Sequence, residues 1–537
     1  MKNKFIYLAI LAAGFASCEP EFENPVAQDY SAGDADFSSY VAVGNSLTAG
    51  YMDGTVSRGS QVNSFPNLLA QQFALVGGGE FTQPSFAEDV DNVGGILGVS
   101  GFNKRLVIDA LEGRPEIIST GNIGVTLTPQ ATAYNNMGVP GAKSFHLLIP
   151  GYGSLNPYYA RHATSPTATV LGDAMSKNPT FFTNWIGAND VLSYATNGGA
   201  QSDGITPAVD QTGNMNAASY GSNDITDPGL FNIVYGQIVT TLTAGGAKGV
   251  VATVPSVTSI PYFTTVPFAP LTAAGLGRPL LPPGSTIAQQ TTAGTAVMNQ
   301  LNTALYNNLD AVFTALGEPN RVNPLNPNAA NPLLIYDVDA ADRSAQISGA
   351  LQMQNVPAIQ ADVIGAAFGK ARQTTSADLV VLPASGIIGS VNATASLNPV
   401  LSGLGAINNG ISYPMANKWV LTANEQTKVA NATTAYNNSI RAIAASKNLA
   451  VADMNAIMNQ LVSGLRADNG TLYTANYFSG GTSEYKVLCS LDGVHPNARG
   501  YSVIANEVIK VINSHYNARL PFLNPNNFPG INIVPTN

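Results

Sequence analysis

The chain is predicted to be an α/β protein built around a parallel sheet. Two observations carry this. Over residues 37–260, and again over 421–515, short apolar runs alternate with segments whose apolar residues recur at helical spacing. A parallel sheet with crossover helices requires that alternation. A third observation divides the chain: residues 261–420 break the pattern with Pro- and Gly-rich stretches, and read as an insertion into the α/β body.

The elements follow in order. Tyr40–Val43 is a short buried strand that stops at Gly44. Phe65–Leu75 is helical, residues 77–128 are Gly-rich and irregular, and Ala133–Met137 is extended before the loop "GVPGAKS". Residues 166–178 read as helix, and "PTFFTNWIGAND" (179–190) as a strand ending in a loop. Leu230–Leu242 is helical, and "KGVVATVPSVTSIPYF" (248–263) begins as a β-branched strand that ends at Pro255. In the insertion, Gln289–Leu316 is one long amphipathic helix, and 332–338 and 377–383 are extra strands. Thr422–Ser446 is a helix in which Thr422 is the N-cap and Glu425 completes a capping box. Residues 448–454 are a buried strand and 498–514 a strongly periodic terminal helix. The tail, 516–537, is rich in Pro and Asn and reads as extended. The insertion departs just after the strand at 249–254, from the carboxyl edge of the sheet. Ligands bind at that edge in open α/β sheets, so the insertion is placed to cap or wall a site.

Composition narrows the function. Charged residues make up only 11% of the 537 residues, and the net charge is −9 with no Lys/Arg cluster. Nucleic-acid binding is therefore disfavoured. There are two cysteines, Cys18 and Cys489, and no Cys/His spacing that suits a metal. Neither a metal nor a cofactor is expected.

Chemistry is expected at four strand-end stretches. "VAVGNSLTAGY" puts Ser46 just after a strand, where Gly44 allows a sharp turn. A serine needs a base to be a nucleophile. Of the four histidines, His515 lies near the end of a surface helix, His162 in a polar loop, and His146 in an apolar, packing stretch. His495 lies in "LDGVHPNARGY", with Asp492 three residues before it. One tight turn can set that carboxylate against one imidazole nitrogen and leave the other for the serine. "GVPGA" offers the Gly141 N–H, and "GAND" the Asn189 amide, as oxyanion donors. Each stretch also has an ordinary reading. Ser46 could be a turn residue, Gly141 part of a type II turn after Pro140, and Asn189 and Asp190 helix caps. Tyr51 and Arg58 read as solvated loop residues, the alternative being that they line the cleft after the nucleophile loop, and Cys489 as a core thiol.

Taken together and in this order, "GNSL", "GVPGA", "GAND" and "DGVHP" resemble the four blocks of the SGNH hydrolases, also called GDSL esterases/lipases. The resemblance covers residues 37–260 and 421–515. It implies a three-layer α/β/α sandwich with a flavodoxin-like parallel sheet, carrying the insertion. It also implies a catalytic triad of Ser46, Asp492 and His495, and an oxyanion hole from Ser46, Gly141 and Asn189. One departure is that Asn45 stands where the family has its aspartate. The expected activity is hydrolysis of carboxylic esters by a monomer. The ester would be an acyl lipid or, as an acetyl esterase, an acylated glycan. A rival reading is a non-catalytic glycan-binding protein on the same scaffold.

The N-terminus resembles a bacterial lipoprotein signal peptide. Lys2 and Lys4 precede an apolar run, Phe5–Phe15, too short to span a bilayer, and Ala16 and Ser17 precede Cys18. Phe15 stands where leucine is usual. The resemblance implies cleavage after residue 17, lipidation of Cys18, a tether over 18–36, and an outer-membrane anchor in the cell envelope. The acidic "CEPEFE" resembles the export tag of surface lipoproteins in Bacteroidota-type bacteria. An ordinary secretory signal peptide is the alternative.

Overall fold

The fold is given by a computed structural model, which describes residues 29–467, 470–478 and 486–537. The signal-peptide stretch, Cys18 and the first part of the tether lie outside the described residues.

The central strand is the apolar run β1 (Tyr40–Gly44), buried along its whole length. It is joined by β2 (Asn136–Gly138), β3 (Phe181–Trp185), β4 (Lys248–Ala252) and β5 (Ala450–Ala452). The five strands run parallel in the order β2-β1-β3-β4-β5. A parallel sheet is covered on both faces, so its strands read as continuous apolar runs.

Helices pack on both sides. Val41 and Val43 of β1 face a core with Phe231 and Ile238 of one helix and Tyr436 and Ile440 of another. Tyr40 and Ala42 face the opposite core, with Phe65, Leu69 and Phe73 from the first half of the chain and Tyr501 and Ile509 from its end. In chain order the helices that matter here are α1 (Ser46–Ala49), α2 (Phe65–Ala74), α3 (Asn189–Thr196), α4 (Pro228–Leu242), α5 (Ala423–Ser446), α6 (Met454–Ser463) and α7 (Ala498–His515). Helix α5 starts with the expected capping box: the Thr422 side chain accepts from the Glu425 N–H, and the Glu425 carboxylate accepts from the Thr422 N–H at 2.8 Å.

Four local expectations are corrected. Within the stretch read as irregular, Leu106–Asp109 and Arg114–Ile117 form an antiparallel pair. Ile533–Val534 of the tail adds a parallel strand to it, so the tail is not merely extended. That pairing joins distant parts of the chain, and no local pattern announces it. The helix expected over 289–316 begins at Ile287 and widens into a π-turn at Asn302–Tyr306 before running on to Ala315. There Asn302 exchanges hydrogen bonds with the Leu325 backbone, and Tyr306 is turned inward to donate to the Ile411 carbonyl. The extra strands shrink to Leu334–Tyr336 and Leu379–Val380, in small antiparallel pairs outside the central sheet. The inserted segment has an apolar core of its own around Met298, Tyr306, Phe313 and Phe368.

Gly44 ends β1 because of close approach, not positive φ. A Cβ there would lie 2.1 Å from Thr48 Oγ1 and 2.9 Å from the Trp185 carbonyl oxygen. Rotating Thr48 relieves the first contact, but the second is backbone of the neighbouring strand. Gly44→Ala is therefore expected to cost about 1–3 kcal/mol through overpacking. A thermal melt checks this: the midpoint falls, whereas an unchanged midpoint would show that the strand end has slack.

Candidate active site

The site lies at the carboxyl ends of the strands. Ser46 follows β1, Gly141 follows β2 and Asn189 follows β3. Asn45 caps α1, its Oδ1 accepting from the Leu47 N–H at 3.1 Å. The side chain thus keeps the acceptor role, while its buried Nδ2 finds no partner among the described residues. Ser46 is the first residue of α1.

Asp492 and His495 sit on one tight turn before α7. Asp492 Oδ1 accepts from the N–H groups of Val494 and His495, each at 2.8 Å. Its Oδ2 accepts from the His495 ring Nδ1 at 2.9 Å and from the Gly54 N–H at 3.1 Å. The ring's other nitrogen, Nε2, lies 2.9 Å from Ser46 Oγ. A carboxylate can only accept, so Nδ1 carries the proton and Nε2 is left to accept from the serine hydroxyl. Burial by itself would raise the Asp492 carboxyl. The neighbouring His495 and the converging N–H donors outweigh it and hold the pKa below the usual range.

Two neighbours of this triad depend on the tertiary structure. Tyr51, read as a solvated loop residue with the cleft as the alternative, lies against His495 with ring centroids 4.6 Å apart, and its hydroxyl donates to the Gly54 carbonyl. Arg58, by contrast, is exposed at the start of a short helix. Asp53 is the second neighbour. Asp53 and Gly54 both have positive φ and close a two-residue hairpin between Met52 and Thr55. The turn buries the Asp53 carboxylate, which accepts from the Leu491 N–H at 2.9 Å, while the Asp53 N–H donates to Ser490 Oγ. It also aims the Gly54 N–H at Asp492. The short Asp-Gly pair was the available signal, but its partners lie at the far end of the chain.

Burial pushes the Asp53 carboxyl up to about 7; the Leu491 N–H opposes the rise, Asp492 adds to it, and Arg105 opposes it. The unfolded chain releases this proton near pH 4, and the folded chain holds it to about 7. Between those limits the folded state binds more protons, so stability falls as pH rises, by on the order of 4 kcal/mol for this group. Glu425, also raised to about 7 by burial, acts in the same direction. Asp53→Asn keeps the acceptor for Leu491 and removes the titration. Urea unfolding measured from pH 4 to 7 is expected to show a smaller fall than in the natural chain; an equal fall would rule out Asp53 as its source.

Gly141 lies in a turn, as the ordinary reading had it: φ is +80° and the Ala142 N–H donates to the Val139 carbonyl at 3.1 Å. The Gly141 N–H itself has no acceptor among the described residues. Asn189 begins α3, and its Nδ2 donates to the Ala142 carbonyl at 2.9 Å, which ties it to the glycine turn. An amide has two such hydrogens, so a second donor remains. Neither Asn189 nor Asp190 caps α3 with its side chain, contrary to the ordinary reading: the N-cap is Ala188, and Asp190 turns to the glycine loop instead. It is fully buried, with Oδ2 accepting from the Ser144 N–H and Oδ1 from the Ser144 hydroxyl, both at 2.8 Å. It therefore clamps the loop that carries Gly141 to α3.

Beside Ser46, Asn189 and His495 opens a cavity of about 90 Å³, lined in part by apolar side chains of α6 and α7. Cys489 also lines it, and burial pushes that thiol up to about 12. None of the residues lining this cavity belongs to the segment 261–420. That segment meets the Asp492–His495 turn at Gly493, where the Tyr262 N–H donates to the Gly493 carbonyl at 2.9 Å and Leu382 packs against Gly493.

The other histidines stand apart. His146 stacks on Tyr152, and burial and Lys143 push its pKa down to about 4. His162, expected in a polar loop, is buried between Tyr134 and Tyr159, with its pKa pushed down to about 3 by burial and Arg161. His515 ends α7. Among the described residues no three His, Cys, Asp or Glu side chains gather as metal ligands, and no helix is long and apolar enough to cross a membrane.

Comparison with models of protein families, with curated proteins and with solved structures finds no match to this chain.

Proposed function

We propose that this protein is a serine hydrolase of carboxylic esters, of the SGNH type. The observation that carries the reading is the hydrogen-bonded line from Ser46 Oγ through His495 to Asp492, at 2.9 Å in each step. The strand order β2-β1-β3-β4-β5 supports a flavodoxin-like sandwich. In such a sheet the crevice beside β1 and β3 is the expected ligand position, and Ser46 and Asn189 flank it.

In this reading His495 Nε2 takes the Ser46 proton as Oγ attacks the ester carbonyl. Asp492 orients the ring and stabilises the imidazolium. The N–H groups of Ser46 and Gly141 and the free hydrogen of the Asn189 amide receive the oxyanion. His495 then protonates the departing alcohol, and water releases the acyl group by the reverse route. Asn45 leaves Ser46 and His495 in hydrogen-bond contact, so the departure from the family aspartate is compatible with turnover. The lipid anchor at Cys18 and the outer-membrane location belong to the same proposal.

A fluorophosphonate probe tests it. Intact-protein mass spectrometry is expected to show one adduct, on Ser46, lost in Ser46→Ala. A folded chain that takes no label overturns the reading in favour of a ligand-binding protein.

A further inference from the structure

We infer that the cavity beside Ser46 is an acyl-chain tunnel, so that the preferred substrates are esters of unbranched aliphatic acids longer than acetate. The inference rests on the serine-esterase reading for its catalysis, but on separate observations for its specificity.

The first is the wall. Met454, Ile457, Met458 and Leu461 of α6 face Val503 and Ile504 of α7 across the cavity. These residues lie after β5, not in the insertion. The second is the distribution of polar groups. Asn45, Ser46, Asn189 and His495 stand together at the catalytic end. Elsewhere the lining offers nothing to a hydroxyl-rich ligand. The Trp185 indole N–H is already spent on the Thr253 carbonyl at 3.1 Å. The Cys489 thiol is held protonated and buried. A sugar placed here would bury hydroxyls without partners, at a cost of several-fold to many-fold in affinity for each. A polymethylene chain loses nothing and leaves water. The third is the volume: about 90 Å³ beside Ser46 is room for an aliphatic chain. The two thioethers at positions 454 and 458 let the wall adjust to chain length. The acyl chain thus lies between α6 and α7 with its carbonyl at Ser46.

The test is a series of p-nitrophenyl esters from acetate to decanoate on the full chain, with fluorophosphonate labelling in parallel. Each added methylene is expected to raise kcat/KM about fourfold until the cavity is filled. Met458→Trp, which fills the tunnel, is expected to collapse the ratio of hexanoate to acetate toward one. Labelling and acetate turnover with a flat or falling series would overturn the tunnel and leave the esterase standing.

A binding measurement covers the case of no turnover. Trp185 lines the cavity and Trp419 is the only other tryptophan. In Trp419→Phe, ω-bromodecanoic acid is expected to quench the remaining fluorescence, and decanoic acid to compete. Quenching without labelling would keep the acyl site and reject the esterase; absence of quenching would reject the acyl site.

Discussion

Replacing Ser46 by alanine is expected to lower turnover of p-nitrophenyl butyrate by roughly 10⁴- to 10⁶-fold while leaving the thermal midpoint unchanged within a few degrees. The expectation follows from the contact pattern. Ser46 Oγ has His495 Nε2 as its hydrogen-bond partner, and His495 Nδ1 is anchored on Asp492. Groups that act as one unit lose their effect together, so Ser46→Ala combined with His495→Ala should be no slower than either alone. Asp492→Asn should lose about 10⁴-fold by presenting the wrong partner to the ring. It should also destabilise, because both Asp492 oxygens accept backbone N–H groups and an amide has only one oxygen to offer. Steady-state rates and melts on the four proteins settle the matter. A Ser46→Ala protein within tenfold of the natural rate would remove this serine from the chemistry.

The second large effect separates two adjacent residues. Asn189→Ala is expected to cut kcat by about 10²- to 10³-fold, the cost of one oxyanion donor. Its stability cost should be small, about 1 kcal/mol for the bond to the Ala142 carbonyl. Asp190→Ala is expected to behave differently. Its carboxylate is fully buried and holds both the N–H and the hydroxyl of Ser144, beside the buried Lys143. Removing it leaves those donors unpaired and should cost on the order of 3 kcal/mol. The rate would fall as well, since the loop carrying Gly141 loses its clamp. Asn189→Ala should thus lower the rate at nearly constant melting midpoint, and Asp190→Ala should lower both. Equal melting losses would assign Asn189 a structural role only.

Much of the scaffold was legible because its signals are local. A strand of a parallel sheet is apolar along its length, and Tyr40–Gly44 and Phe181–Trp185 read that way. The Thr422–Glu425 capping box spans a single turn, and so does the Asp492–His495 pair. The less legible parts depend on partners far away in sequence. The strand at Ile533–Val534 exists only because Leu106–Asp109 accepts it. The stretch 289–316 has one helical period throughout, but the need to seat Tyr306 on the Ile411 carbonyl widens it at Asn302–Tyr306.

The same division holds at the site. By itself the sequence determined the α/β class, the strand-end positions of Ser46, Gly141 and Asn189, and the short loop joining Asp492 to His495. These rest on apolar runs, turn residues and spacings of a few residues, which act within one segment of chain. Tertiary structure alone decided that Tyr51 lies on His495, that the Asp53–Gly54 turn supports Asp492, and that Asp190 clamps the glycine loop. It also decided that the apolar residues of α6 and α7 leave a cavity between them. In sequence those residues are indistinguishable from core, because apolarity records that a side chain avoids water and not whether another side chain fills the space beside it.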